Sequence, residues 1–146
     1  MKRDARRGLH AAVAVACLAA GATAAEFKFG RQTLTLPEGF EVELVAGPPL
    51  VDRPMMAEFD EQGRLYVADS AGSNEPVQKQ LETKPHRIVR LEDTDGDGRY
   101  DKSVVFADKL MFPEGVLWHE GAVYTGAPPT IWKLEDTDGD GVADRR

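Results

Sequence analysis

The octapeptide Leu91-Glu92-Asp93-Thr94-Asp95-Gly96-Asp97-Gly98 recurs unchanged at Leu134–Gly141, 43 residues further on. In the first copy Asp93, Asp95 and Asp97 alternate, Gly98 follows, and Asp101 lies three residues beyond; Asp136, Asp138, Asp140, Gly141 and Asp144 repeat those offsets. Carboxylates at loop positions 1, 3, 5 and 9 with Gly at 6 suit a hard divalent cation. Calcium takes about 6–8 oxygen ligands at about 2.3–2.6 Å, and the Gly permits the turn that wraps the loop around it. Four clustered carboxylates repel one another without such an ion, so the spacing predicts calcium at Asp93, Asp95, Asp97 and Asp101 and again at Asp136, Asp138, Asp140 and Asp144.

The match to an EF-hand stops at position 12, where a bidentate Glu belongs and Val104 stands. Arg87–Leu91 before the loop and Ser103–Phe106 after it are rich in β-branched and apolar residues, which predicts strands. The loop is therefore expected at a β-hairpin rather than between helices. A solvated Asp/Gly turn is the plainer alternative, and two copies with identical spacing weigh against it.

A second correspondence extends the repeat. Phe59–Ala68 (FDEQGRLYVA) resembles Leu117–Gly126 (LWHEGAVYTG), both reading as strand, Gly-containing turn, strand, at an offset of 58. The extra 15 residues fall in the polar stretch Ala71–His86, which has no strand pattern. The first repeat then has strands near Met56–Phe59, Arg64–Ala68, Arg87–Leu91 and Ser103–Ala107. The second has Val116–Trp118, Ala122–Thr125 and Thr130–Leu134, and then its acidic loop. Four short antiparallel strands recurring every ~40–45 residues are the signature of a β-propeller blade. The fold class expected is all-β: a partial propeller of roughly one and three-quarter blades, blade one at about 55–107 and blade two at about 115–146, within a propeller part spanning 36–146. Phe40–Val45 alternates strictly and is expected to be a strand that closes the ring as the outer strand of a last blade. Propellers have about 4–8 blades, and a lone blade leaves open edges. The chain is therefore read as part of a longer protein or a truncated product, in preference to a small sheet stapled by two ions.

Residues 1–25 read as a cleavable export signal. Lys2, Arg3, Arg6 and Arg7 precede the apolar run Leu9–Ala20, and Ala22-Thr23-Ala24 offers small residues for cleavage. The run is short for a membrane span, which needs roughly 20 residues. Lipid attachment at Cys17 is disfavoured because the apolar run continues past it. Removal of 1–25 leaves a linker at 26–35, no cysteine, and 14 basic against 24 acidic residues, a net of −10. Disulfides are then excluded, and ten of those acids lie in or beside the two loops. No basic, aromatic cluster suggests nucleic acid.

LPEGFEVELVAGPPL (Leu36–Leu50), FDEQGRLYVAD (Phe59–Asp69), VVFADKL (Val104–Leu110) and the run from Phe112 to Gly141 together resemble one family. It is the N-terminal β-propeller of the bacterial membrane-bound dehydrogenases, related to quinoprotein glucose/sorbosone dehydrogenase propellers. The resemblance covers about Leu36–Arg146. It implies a periplasmic or cell-surface oxidoreductase acting on sugars or related alcohols, with the remaining blades or downstream domains as partners. Larger members carry a haem-binding Cys-x-x-Cys-His segment; the sequence has none, so a quinone or haem belongs only to a full-length protein. The alternative function is a non-enzymatic, calcium-stabilised module that binds polysaccharide or protein.

In propellers, ligands lie at the channel mouth, which here points to Gly47–Pro54, Ala71–His86 and Asp108–Gly115. Arg53, His86 and Glu114 are the candidates there, each with a plainer structural role: an ion pair, the start of a strand, a turn after Pro113. His119 is placed on the opposite end. The catalytic and cofactor-binding residues stay unassigned, and the fragment alone is expected to be inactive.

Overall fold

In a computed structural model, which describes residues 25–146, the alternation in the sequence becomes three antiparallel sheets. The export-signal reading lies outside the described residues except for Ala25. That residue opens β1 (Ala25–Phe29), which pairs with β2 (Gln32–Leu36) around Gly30, whose φ of 58° a glycine adopts without strain. Residues 26–35, expected to be a linker, are therefore a hairpin. Phe27 and Phe29 alternate with Glu26 and Lys28, the period-2 pattern a ladder needs. This hairpin belongs to a unit ending at Val42; Glu43–Arg146 is a second unit, described separately below.

The second unit holds β3 (Pro54–Phe59), β4 (Leu65–Asp69), β5 (His86–Glu92) and β6 (Lys102–Leu110) in sequential order. A three-stranded sheet follows, of β7 (Leu117–His119), β8 (Ala122–Ala127) and β9 (Thr130–Glu135). The strands fall where alternation and turn residues place them, within a few residues at each end. The fold is all-β in class and propeller-like, with no closed barrel among the described residues.

The repeat holds at the level of register. Leu65 faces Leu91 and Tyr66 faces Arg90 in the first sheet; Val123 faces Leu134 and Tyr124 faces Lys133 in the second. Offsets of 58 for β8 and 43 for β9 carry every pair of one ladder onto the other. The equivalence reaches further, because Glu92 pairs with Lys102 and Glu135 forms an antiparallel bridge with Arg145.

The four-stranded sheet is buried on both faces, which is why β4 and β5 are almost continuously buried. One face carries Tyr66, Ala68, Ile88 and Phe106 into a core shared with Val123, Ala127 and Leu134 of the next sheet. Tyr66 is held there by the stacked ring of Trp118, 5.2 Å away, and by Phe106 edge-on at 4.9 Å. The other face packs Val67, Val89 and Leu91 against Val51, Ala46 and Leu50.

One further expectation is corrected. Phe40–Val45 forms no strand, and Phe40, Leu44 and Val45 are exposed. Alternation specifies a face but does not supply a ladder partner. Val45 still takes one informative bond: its carbonyl accepts the Tyr100 amide at 2.9 Å, as the Phe106 carbonyl accepts the Ala143 amide at 2.7 Å. Tyr100 and Ala143 are repeat-equivalent, so Val45 stands towards the first loop as β6 stands towards the second. The polar stretch Ala71–His86 contains a short helix, α1 (Val77–Thr83). It ends where Lys84 turns left-handed and donates to the Gln80 carbonyl, with Pro85 following to prevent continuation.

Candidate metal loops

Each acidic loop is organised from its own first aspartate. Both oxygens of Asp93 accept backbone N–H groups, from Gly96 at 2.7 Å and Gly98 at 2.9 Å. Asp136 does the same with Gly139 and Gly141, each at 2.8 Å. Asp95 accepts from the Asp97 amide and Asp138 from the Asp140 amide; Asp97 and Asp140 accept from Arg99 and Val142. At position 9, Asp101 is held by the Thr94 hydroxyl at 2.7 Å, and Asp144 by the Thr137 hydroxyl at 2.9 Å. The two loops thus have matching internal hydrogen bonds. The Gly98 bond is the main reason that the Asp93 carboxyl sits below its ordinary pKa, with the Gly96 bond adding to it.

These turns bring carboxylate oxygens of Asp93, Asp95 and Asp97 within 4.8 Å of one another, and likewise those of Asp136, Asp138 and Asp144. Six of the eight expected ligands are therefore gathered. Asp101 and Asp140 stand outside their sets. A hard, all-oxygen donor set of this size fits calcium, whose coordination tolerates irregular geometry.

The loops share one end of the sheets with the β3–β4 and β7–β8 turns; α1, the β6–β7 connection and the β8–β9 turn lie at the other. His119 is exposed at the acidic end, 3.9 Å from Glu120. Arg53 and Glu114 are exposed at the opposite end, while His86 is buried there.

His86 is 1% exposed, and its ring is fully engaged. Nδ1 accepts the Ala71 amide at 3.0 Å, which leaves Nε2 to donate to Gln80 Oε1 at 2.8 Å, while the Gln80 amide donates to the Glu75 carbonyl. The imidazole is thus held neutral as a structural pin for α1. Burial lowers its pKa from the ordinary 6.5. Above that value folded and unfolded chains both carry it neutral and its contribution is complete. As pH falls through 6.5 the unfolded chain binds the proton first, and stability is lost. The urea midpoint is expected to drop between about pH 7.5 and about pH 5.5, and to drop less in His86→Gln. An equal drop in both proteins removes His86 as the cause.

Three buried charged groups escaped the sequence reading. Asp69 accepts the Asp52 and Arg53 amides and pairs with Arg87 at 2.7 Å, tying the chain entering β3 to β4 and β5. Asp60 closes the β3–β4 turn by accepting the Gln62 and Arg64 amides, each at 2.9 Å. An Asp at a turn start followed by Gly63 is a local signal for that role. Arg90, 5% exposed, holds Glu92 of its own strand at 2.5 Å and reaches across the sheet boundary to Asp136 at 3.5 Å. It links the first repeat to the second repeat's acidic loop. Its signal was an arginine at an apolar-face position of a buried strand.

A family model described as a domain of unknown function (DUF7133) matches residues 28–146. The chain belongs to that family. Neither a curated protein nor a solved structure matches it. The matched span of the DUF7133 domain includes both acidic loops and all three sheets after Phe27. No described helix is long and apolar enough to cross a membrane.

Proposed function

We propose that this chain is a propeller segment of an exported oxidoreductase acting on sugars or related alcohols, with the two acidic hairpins holding structural calcium. The observation that carries the calcium part is the bond-for-bond identity of two loops at register-equivalent places in neighbouring sheets. A cation at either loop would offset the mutual repulsion of three carboxylates and fix the turn joining β5 to β6, or its counterpart after β9. The oxidoreductase part is supported by the resemblance of the LPEGF, FDEQGRLYVAD and LEDTDGDG segments to exported dehydrogenase propellers. A quinone or haem, where a longer protein carries one, supplies the electron acceptor; the residues seen here contribute scaffold. The reading as a polysaccharide- or protein-binding module is favoured by one observation: His86 is buried, with both ring nitrogens engaged by Ala71 and Gln80.

Calorimetric titration of chelator-treated protein with calcium is expected to show two sites, and Asp95→Ala to remove one. Asp95 is chosen because its carboxylate makes only a long local bond, so the loop's own turn survives its loss. Ions binding only the folded state add about 2.7 kcal/mol per site at 100 times the dissociation constant. Asp95→Ala should therefore lower the melting temperature in calcium but not in chelator; equal melting of both proteins under both conditions would end the structural-ion reading. For the activity, the protein as exported by its host is assayed for sugar oxidation with an artificial electron acceptor. Polysaccharide retention without oxidation would replace the enzyme by the binding module.

A further inference from the structure

The two sheets present equivalent faces in opposite states. On the four-stranded sheet, Tyr66, Ala68, Ile88 and Arg90 share the face covered by the next sheet, and Ile88 is 0% exposed. Register carries these residues onto Tyr124, Gly126, Ile131 and Lys133, yet Ile131 is 83% exposed. Leu117 extends this open apolar strip at the β7 edge. The polar member of the face is matched too. Arg90 holds Glu92 of its own strand and Asp136 of the next loop, whereas Lys133 holds Glu135 of its own strand at 2.8 Å. The second carboxylate of the Arg90 arrangement has no counterpart at Lys133 among the described residues.

We infer that the Tyr124–Ile131–Lys133 face is a docking surface for a further sheet of the same repeat, whose acidic loop places its first aspartate against Lys133. Continuity with the observed interface favours this occupant: the same register positions, one repeat earlier, are covered by such a sheet and such a loop. A second copy of the chain fits poorly. Its three-stranded sheet already buries its complementary face against β4–β6, and on the far face of its four-stranded sheet Ala46, Leu50 and Val51 cover the central Val67, Val89 and Leu91, leaving Phe59 and Val105 exposed at the sides. Pairing this same open face with itself would supply no acidic loop to Lys133. The inference rests on the propeller-segment reading above, but not on whether the loops take calcium or the protein oxidises sugars.

The repeat length supplies the test. Residues Val104–Arg146 are repeated directly after Arg146, which continues the 43-residue period and provides the additional sheet and loop. This tandem chain and the original both carry Ile131→Cys together with Cys17→Ser, which removes the one native cysteine. In the original chain the thiol introduced by Ile131→Cys is expected to label rapidly at every protein concentration. In the tandem chain labelling should slow about 100-fold, because it must wait for the added sheet to open. Lys133→Glu in the tandem chain should recover about tenfold of that loss by setting like charges together. An unprotected thiol in the tandem chain overturns the inference, whether the added repeat folds elsewhere or stays unfolded. So does protection that rises with concentration in the original chain, which would put a second copy on the face. Labelling unmoved by Lys133→Glu overturns the role given to that lysine.

Discussion

Tyr66→Ala is expected to destabilise the protein by about 3–5 kcal/mol, the range for deleting a large buried ring. Tyr66 is 1% exposed at the centre of the core between the two sheets. Its ring stacks on Trp118 of the second repeat and meets Phe106 of the first edge-on, so one truncation removes packing across the sheet boundary as well as within the sheet. Favourable aromatic pairs add about 0.5–1.5 kcal/mol each beyond the area they bury. A small domain is stable by only about 5–15 kcal/mol, so the variant should sit near its unfolding midpoint in mild urea. Trp118 reports locally: its emission should shift to the red in Tyr66→Ala at urea concentrations where the original protein is unaffected. Tyr66→Phe keeps both ring contacts and should retain most of the stability. A loss below about 1 kcal/mol in Tyr66→Ala would mean that the two sheets do not share this core.

The parts of the fold that are legible in the sequence are those with a local period. The strands of both repeats follow from alternation bounded by Gly and Asp turns, and the identical octapeptides fix which strands correspond. The hairpin at 25–36 carries the same kind of signal in Glu26-Phe27-Lys28-Phe29, but its nearness to the stretch read as an export signal makes it read as linker. The helix α1 lacks a capping residue, since Pro76 makes no side-chain cap, and at seven residues it is too short for periodicity to declare itself. Its stability comes from Gln80 and the buried ring of His86, a contact across six residues of irregular chain. Phe40–Val45 fails for the opposite reason: the pattern is clear, but a ladder needs a neighbour. At the acidic loops, composition specifies the turn and the hard-cation chemistry. Which carboxylates converge is not encoded in the octapeptide: Thr137 holds Asp144 as Thr94 holds Asp101, yet only Asp144 joins its set.

Arg90 shows what local pattern does not encode. An arginine on the apolar face of a buried strand is costly in isolation, and here Nε has no acceptor, so part of its desolvation stays uncompensated. The guanidinium is tolerated because Glu92 and Asp136 meet its other nitrogens, and Asp136 is distant in sequence. Arg90→Ala is expected to cost toward the low end of the ~3–5 kcal/mol seen when one partner of a buried pair is removed. The low end applies because both carboxylates keep some contact with solvent, and Glu92 retains Lys102 at 2.9 Å. What remains is Asp136 facing the space vacated between the sheets. A cation in the second loop would neutralise that aspartate, so the cost should be smaller in calcium than in chelator. Gly141 provides an independent check: a Cβ there would collide with the Arg90 guanidinium, and its φ of +95° already disfavours any side chain. Gly141→Ala should therefore destabilise the original protein, and less so in an Arg90→Ala background, where the backbone strain remains but the collision is gone. Urea unfolding of the two single variants and the double variant measures that coupling. Strict additivity would show that Arg90 does not press on the second loop, and that the two repeats meet through apolar packing alone.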